Sequence, residues 1–257
     1  MNLELSLKTQ NVRSFNMSEN GMVSMRKKVQ AAVMEDDDII MLTNVQLGGN
    51  KTAVEREFLF GGKNPYEIYT NSTVNDVRGV LIATKIKANI QVIDIRKDED
   101  DRVLILKTVI GNETITLGCI YDDNRNNTNA LQKVDEFLTA MDVKHGLIIG
   151  GDYNVIVSKE LDQIGYENHH LRTKAVKYLT DWDEKGTLVD IYRKKHKKGK
   201  NITYVPDTEK DRINPKLGRR LDKFLVSEDM NIKETTIQCP TCPRQCLQTE
   251  TKYVQEI

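Results

Sequence analysis

The apolar residues of this chain switch repeatedly between period two and period 3.6, a pattern that neither an all-helical nor an all-strand fold accommodates. Leu3–Val12 alternates apolar and polar, as a strand does. Met22, Met25, Val29 and Val33 then recur at helical spacing behind Ser18, a suitable N-cap. The apolar run Ile39–Leu42 has the composition of a strand buried on both faces. Strand-like segments follow at Tyr66–Thr70, Arg78–Ile86, Ile90–Ile95, Val103–Ile110 and Thr114–Tyr121, with Gly111-Asn112 placed to turn a tight hairpin. Leu131–Met141 and Leu171–Trp182 are amphipathic helices, and Gly146–Asp152, Ile202–Val205 and Leu221–Val226 are strands. So many strands in 257 residues, with helices between them and no repeat or Gly/Ser/Pro linker, predict one α/β domain. Two mixed β-sheets packed face to face, with helices on the outer faces, account for the pattern.

Composition narrows the classes of function. Apolar residues make up 39% and charged residues 30%, as in an ordinary soluble globular chain. Basic and acidic residues number 38 each, which excludes a surface that is basic throughout but allows a local basic face. One such face is the run Arg193, Lys194, Lys195, Lys197, Lys198 and Lys200. It reads either as a contact for a phosphate backbone, rewarded by counterion release, or as a solvated loop. No aromatic residue beyond Tyr192 is interleaved in it, so stacking on a single strand is not indicated there.

The charged N-terminus is no signal peptide, and no apolar run approaches the roughly 20 residues that span a bilayer. The expectation is therefore an intracellular protein, nuclear or cytoplasmic, with no membrane partner. Cys239, Cys242 and Cys246 have zinc-like spacing but supply three ligands where a structural zinc site wants four, so no zinc is expected.

The candidate chemistry begins at Gly150-Gly151-Asp152-Tyr153-Asn154. A buried strand that runs into glycines and then presents Asp-x-Asn sets a carboxylate beside a carboxamide at a sheet edge. Metal-assisted phosphodiester cleavage uses such a pair to orient a water and to steady a phosphate oxygen. Taken alone, the pair reads more simply as a turn. Its company changes the reading: Thr9-Gln10-Asn11-Val12-Arg13 upstream, then Arg78-Gly79-Val80, Gly118-Cys119-Ile120-Tyr121 with Asn124 beyond, Thr203-Tyr204, and Arg220-Leu221-Asp222.

In this order the series resembles the endonuclease/exonuclease/phosphatase superfamily, and most of all the apurinic-type endonuclease domains of non-LTR retrotransposons, which read T-x-N-V-R, Q-E, R-G-V, V-Y, G-G-D-F-N and R-I-D-Y-I-L. The resemblance implies a four-layer α/β sandwich with a magnesium-dependent phosphodiesterase centre at one edge of the paired sheets. Carried over by position, it places Asn11, Asn44 and Asp222 at the metal and Tyr121 on a phosphate oxygen. It also makes Asp152 the group that orients the nucleophile and sets Asn154 against the scissile phosphate. Arg220 falls on the arginine that precedes the family's aspartate and is expected, with the basic run, to meet nucleic acid. Residues 1–230 are expected to form the domain, and 231–257 a C-terminal tail lacking the family's final Ser-Asp-His strand.

Two departures weigh against catalysis. The run Met41–Leu47 places Asn44 where the family has its metal-binding glutamate, and magnesium sites depend on carboxylate charge. After Asp222 the sequence contains no histidine; His145, His169, His170 and His196 all precede it. The favoured expectation is a catalytically inactive, retrotransposon-derived module that binds nucleic acid or a protein partner, with no cofactor. The alternative is a working endonuclease with Mg2+ as cofactor. A phosphatase on the same fold ranks third.

Overall fold

A computed structural model describes residues 3–15, 21–73, 78–122, 127–166, 172–206, 215–238 and 248–255. Its elements are β1 (Leu3–Asn11), α1 (Gly21–Val33), β2 (Ile39–Thr43), α2 (Lys51–Phe60), β3 (Tyr66–Asn71), β4 (Val80–Lys85), β5 (Gln91–Lys97), β6 (Val103–Ile110), β7 (Glu113–Tyr121) and α3 (Asn129–Ala140). After these come β8 (Leu147–Asp152), α4 (Lys159–Asp162), β9 (Gln163–Ile164), α5 (Thr173–Glu184), β10 (Val189–Asp190), α6 (Ile191–Lys195), β11 (Gly218–Arg219), β12 (Asp222–Val226), β13 (Ile232–Gln238) and β14 (Gln248–Gln255). One sheet has the order β13-β14-β1-β2-β4-β3, the other β10-β12-β8-β7-β6-β5, and β9 pairs with β11 as a small ribbon.

Strand alternation divides the apolar residues into three layers. Ile39 and Met41 of β2 point between the sheets, where they meet Leu117 and Cys119 of β7, Ile148 of β8 and Phe224 of β12. Ile40 and Leu42 point the other way, against Met25 and Val29 of α1 and Val54 and Phe58 of α2. Leu147, Ile149 and Leu225 face Leu131, Val134 and Leu138 of α3 and Leu179 and Trp182 of α5. Helix, sheet, sheet and helix therefore stack as the four-layer sandwich that the sequence implied. Each fully buried Leu, Ile or Phe in these layers contributes about 1.5–3 kcal/mol relative to exposure. Gly150 leaves no room for a side chain: a Cβ would lie 2.6 Å from the Phe224 ring of its own sheet and 2.7 Å from the Met41 sulfur of the facing sheet.

The structure departs from the sequence reading in several places. Residues 231–257, expected to be a tail outside the domain, supply β13 and β14. These pair with each other, and β14 runs antiparallel to β1 from Leu3↔Gln255 to Thr9↔Thr249. Without β14, β1 would present a row of unpaired backbone groups at a sheet edge. A break in register between Ile232 and Glu234 shifts the alternation of β13 and hides it from a period-two reading. The strand expected at Ile202–Val205 reduces to a bridge between Tyr204 and Arg219. Pro206 follows and has no N–H with which to continue a ladder. Ser18, the expected cap of α1, lies outside the described residues.

Candidate active-site edge

Four of the expected residues share one end of the space between the sheets because each continues an inward-facing row. Asn11 is in phase with Leu5 and Leu7, Tyr121 with Leu117 and Cys119, Asp152 with Ile148, and Asp222 with Phe224 and Val226. Tyr121 pairs in register with Asp152, and Asp152 pairs in register with Asp222. The sheets are joined across the gap by Asn11, whose Nδ2 donates to Asp152 Oδ2 at 2.8 Å.

Asn154 takes a left-handed conformation, φ 49°, and its backbone N–H donates to Asp152 Oδ1 at 3.0 Å. This is an Asx turn, the simpler of the two sequence readings. Its side-chain Nδ2 also donates to the Asp122 carbonyl at 2.7 Å. Asn44 follows directly on Thr43, the register partner of Asn11, and so lies at the same edge. Its Oδ1 accepts from Gln46 Nε2 at 2.7 Å within its own loop. Asn124 and the cysteines 239, 242 and 246 lie outside the described residues.

Burial dominates the electrostatics of this edge. It pushes Asp152 above the usual carboxylate range, against the stabilising bonds from Asn11 and the Asn154 backbone. Asp222 is pushed well above that range by burial and then by the adjacent Asp152, with Thr203 working the other way. Burial and Asp152 likewise raise the Tyr121 phenol. Magnesium favours charged, hard oxygen donors. Here two of the oxygen donors are amides that already accept hydrogen bonds, Asn44 from Gln46 and Asn11 from the Arg13 N–H. Among the described residues no three His, Cys, Asp or Glu side chains gather where one ion would reach them. The donor set does not fit magnesium.

A supporting shell escaped the sequence reading. Arg172, buried, donates to Asp122 Oδ2 at 2.8 Å and to the Tyr153 carbonyl at 2.9 Å, holding the loops around Asn154. Thr203 Oγ1 accepts from the backbone N–H of Leu221 at 2.8 Å and of Asp222 at 2.9 Å, which fixes the start of β12. Thr203 belonged to a recognised motif, and its hydroxyl was the available signal; Arg172 carried none.

The expected nucleic-acid residues separate into two groups. Arg220 is 1% exposed, so its assignment as a nucleic-acid contact is corrected. Its guanidinium meets Asp162 at 2.8 Å and Asp190 at 2.6 Å, and an arginine in contact with two carboxylates is held inside the fold. Arg193 is half-buried and donates to Asp162 at 2.6 Å. The segment beginning at Arg193 is not all loop: residues 191–195 form α6, capped by Asp190 Oδ1 accepting from the Arg193 N–H. Lys194, Lys195, Lys197, Lys198 and Lys200 are exposed. His196 Nε2 lies 2.9 Å from the Thr235 carbonyl of β13.

Lys223 is a further missed feature. It is fully buried, with Nζ donating to the carbonyls of Val155 at 2.7 Å and Arg220 at 3.0 Å. Burial, then the Arg220 charge, lower its pKa from 10.5 to about 8. Between those two values the unfolded chain holds a proton that the native state has released, so stability rises with pH across the window. Urea unfolding at about pH 7 and about pH 10 is expected to show this rise in the native protein and a smaller one in Lys223→Met. Equal rises would show that Lys223 keeps an ordinary pKa.

No family model and no curated protein matches the sequence. Solved structures do match. An AP endonuclease from Archaeoglobus fulgidus superposes with a TM-score of 0.72 at 17% identity, over 98% of this chain and 100% of that one. The AP endonuclease LMAP from Leishmania major gives 0.70 at 16% identity, over 98% and 88%. The endonuclease domain of TRAS1, a telomere-specific non-LTR retrotransposon, gives 0.61 at 12% identity, over 98% of each chain. The likeness is one of fold: over 98% of its length this chain shares the fold of these nuclease structures. Among the described residues no helix is long and apolar enough to cross a membrane.

Proposed function

We propose that this chain is a retrotransposon-derived, endonuclease-like domain that has lost catalysis and is retained to bind nucleic acid. The observation that carries the reading is the donor set at the shared edge. Position 44 offers a neutral amide whose oxygen accepts from Gln46, and Asp222 is raised by burial and by the adjacent Asp152. Asn11, Asp152, Asn154 and Tyr121 then serve to tie strands and loops together, which their hydrogen bonds and register support. A cleavage assay with magnesium tests the loss of catalysis.

Binding has its own test. The exposed lysines after Arg193 supply affinity without sequence preference, as phosphate contacts do. Replacing Lys194, Lys195, Lys197 and Lys198 together by Gln is expected to weaken binding to duplex DNA. The slope of log affinity against log salt should flatten by about 0.9 per lost phosphate contact. Titrations at several salt concentrations measure it, and an unchanged slope would reduce the run to a solvated loop.

A further inference from the structure

Beside the candidate edge, rings and guanidinium groups alternate. Arg219 of β11 lies with its guanidinium carbon 4.0 Å from the centroid of the Tyr166 ring. Tyr204 and Arg219 are bridged by two backbone hydrogen bonds, Tyr204 N–H to the Arg219 carbonyl at 2.8 Å and Arg219 N–H to the Tyr204 carbonyl at 2.9 Å. Arg13 then lies with its guanidinium carbon 5.6 Å from the Tyr204 centroid. Burial, and then Tyr204, raise the Tyr166 phenol, with Arg219 working the other way. All four side chains are partly exposed.

The row is tied to the edge at Arg13 and beside Tyr204. The Arg13 N–H donates to Asn11 Oδ1 at 3.0 Å, and Thr203, beside Tyr204, holds the backbone N–H of Asp222. We infer that Tyr166, Arg219, Tyr204 and Arg13 form a docking surface for the unpaired bases of a single nucleic-acid strand. The inference rests on the nucleic-acid reading above and names the form of the ligand. Aromatic rings and stacked guanidinium groups offer flat faces that any base can cover, and they also place positive charge next to the backbone. Bases inside a duplex have both faces occupied by their neighbours, so only an unpaired strand can use such a surface. The chain has no net charge with which to attract a duplex at large, so stacking supplies a larger share of the affinity.

The test is fluorescence anisotropy with the full chain and a labelled oligothymidine of about a dozen nucleotides, against a duplex of equal length, in about 50 and 200 mM salt. The strand is expected to bind more tightly than the duplex. Tyr166→Leu and Tyr204→Leu should each weaken strand binding about tenfold while leaving duplex binding and the salt slope unchanged. Tyr204→Phe and Tyr166→Trp should retain it, because they keep the ring, and thermal melts confirm that each variant is folded. Leu variants that bind the strand within about twofold of the native protein, or a duplex bound as tightly as the strand, would overturn the docking surface while leaving the nucleic-acid reading standing. If neither oligonucleotide binds at the lower salt, both fall.

Discussion

Asp162→Ala is expected to cost about 3–5 kcal/mol of folding stability, because it strands a buried arginine. Asp162 closes the short helix α4, where its Oδ2 accepts from the Ser158 N–H at 3.1 Å. Its Oδ1 accepts from Arg220 Nε at 2.8 Å and from Arg193 at 2.6 Å. Arg220 and Asp162 are each 1% exposed, so neither charge has water to fall back on. Burial opposes ionisation of Asp162, but the Arg220 and Lys223 charges outweigh it and hold its pKa below the usual carboxylate range. Burial likewise opposes the Arg220 charge, and Asp190 and Asp162 outweigh it there. A carboxylate with a depressed folded-state pKa contributes stability above its unfolded value of about 3.9, and that contribution is lost as pH falls toward the folded value. Urea unfolding should therefore show a large gap between the native protein and Asp162→Asn at neutral pH, narrowing below about pH 4. A gap under about 1 kcal/mol at neutral pH would mean that Asp190 alone satisfies Arg220.

The same cluster shows where the sequence was readable and where it was not. Ile39–Thr43 and Leu147–Asp152 could be found because both of their faces are buried, which leaves a continuous apolar run. From there the inward rows carried Asp152 and Asp222 to a common edge. Asn11 fell in with them because β1 and β2 run parallel in register to Asn11↔Thr43. Arg220 was misread because the two carboxylates that hold it inside the fold come from other segments. Asp222 faces the gap between the sheets, while Lys223 lies fully buried among the charges outside it, next to Arg220. Nothing local in the sequence pairs Arg220 with Asp162 or Asp190, 58 and 30 residues away. Tyr166 and Arg219 escaped for the same reason, and Tyr204 and Arg13, though part of quoted motifs, gave no sign of a shared row. A row assembled from four distant segments has no spacing, whereas the basic run near residue 195 looks conspicuous and has part of its charge engaged within the fold. Helix α2 did carry a signal, Val54 and Phe58 at a spacing of four, but its polar remainder masked it.

No magnesium-dependent nicking of plasmid or abasic DNA is expected from the 257-residue chain. An ordinary enzyme turns over at about 1 s⁻¹ or faster. Removing one preorganised donor from a charge-stabilising site costs about 10²–10³ in rate. Asn44 stands where the resemblance puts the metal-binding carboxylate. With Asn44 neutral, little holds a divalent ion against competing water. Burial and the adjacent Asp152 also push Asp222 well above the usual carboxylate range, so both carboxylates pay to share this edge as charged groups. Asn44→Glu should therefore tighten magnesium binding measured by calorimetry and yet leave turnover low, because groups that act as a unit do not restore activity one at a time. The decisive comparison is the native protein against Asp152→Ala in the same nicking assay. If the native protein cuts at about 1 s⁻¹ and Asp152→Ala does not, the inactive reading is wrong. The metal would then have to be held by Asn44 or by a group not yet recognised.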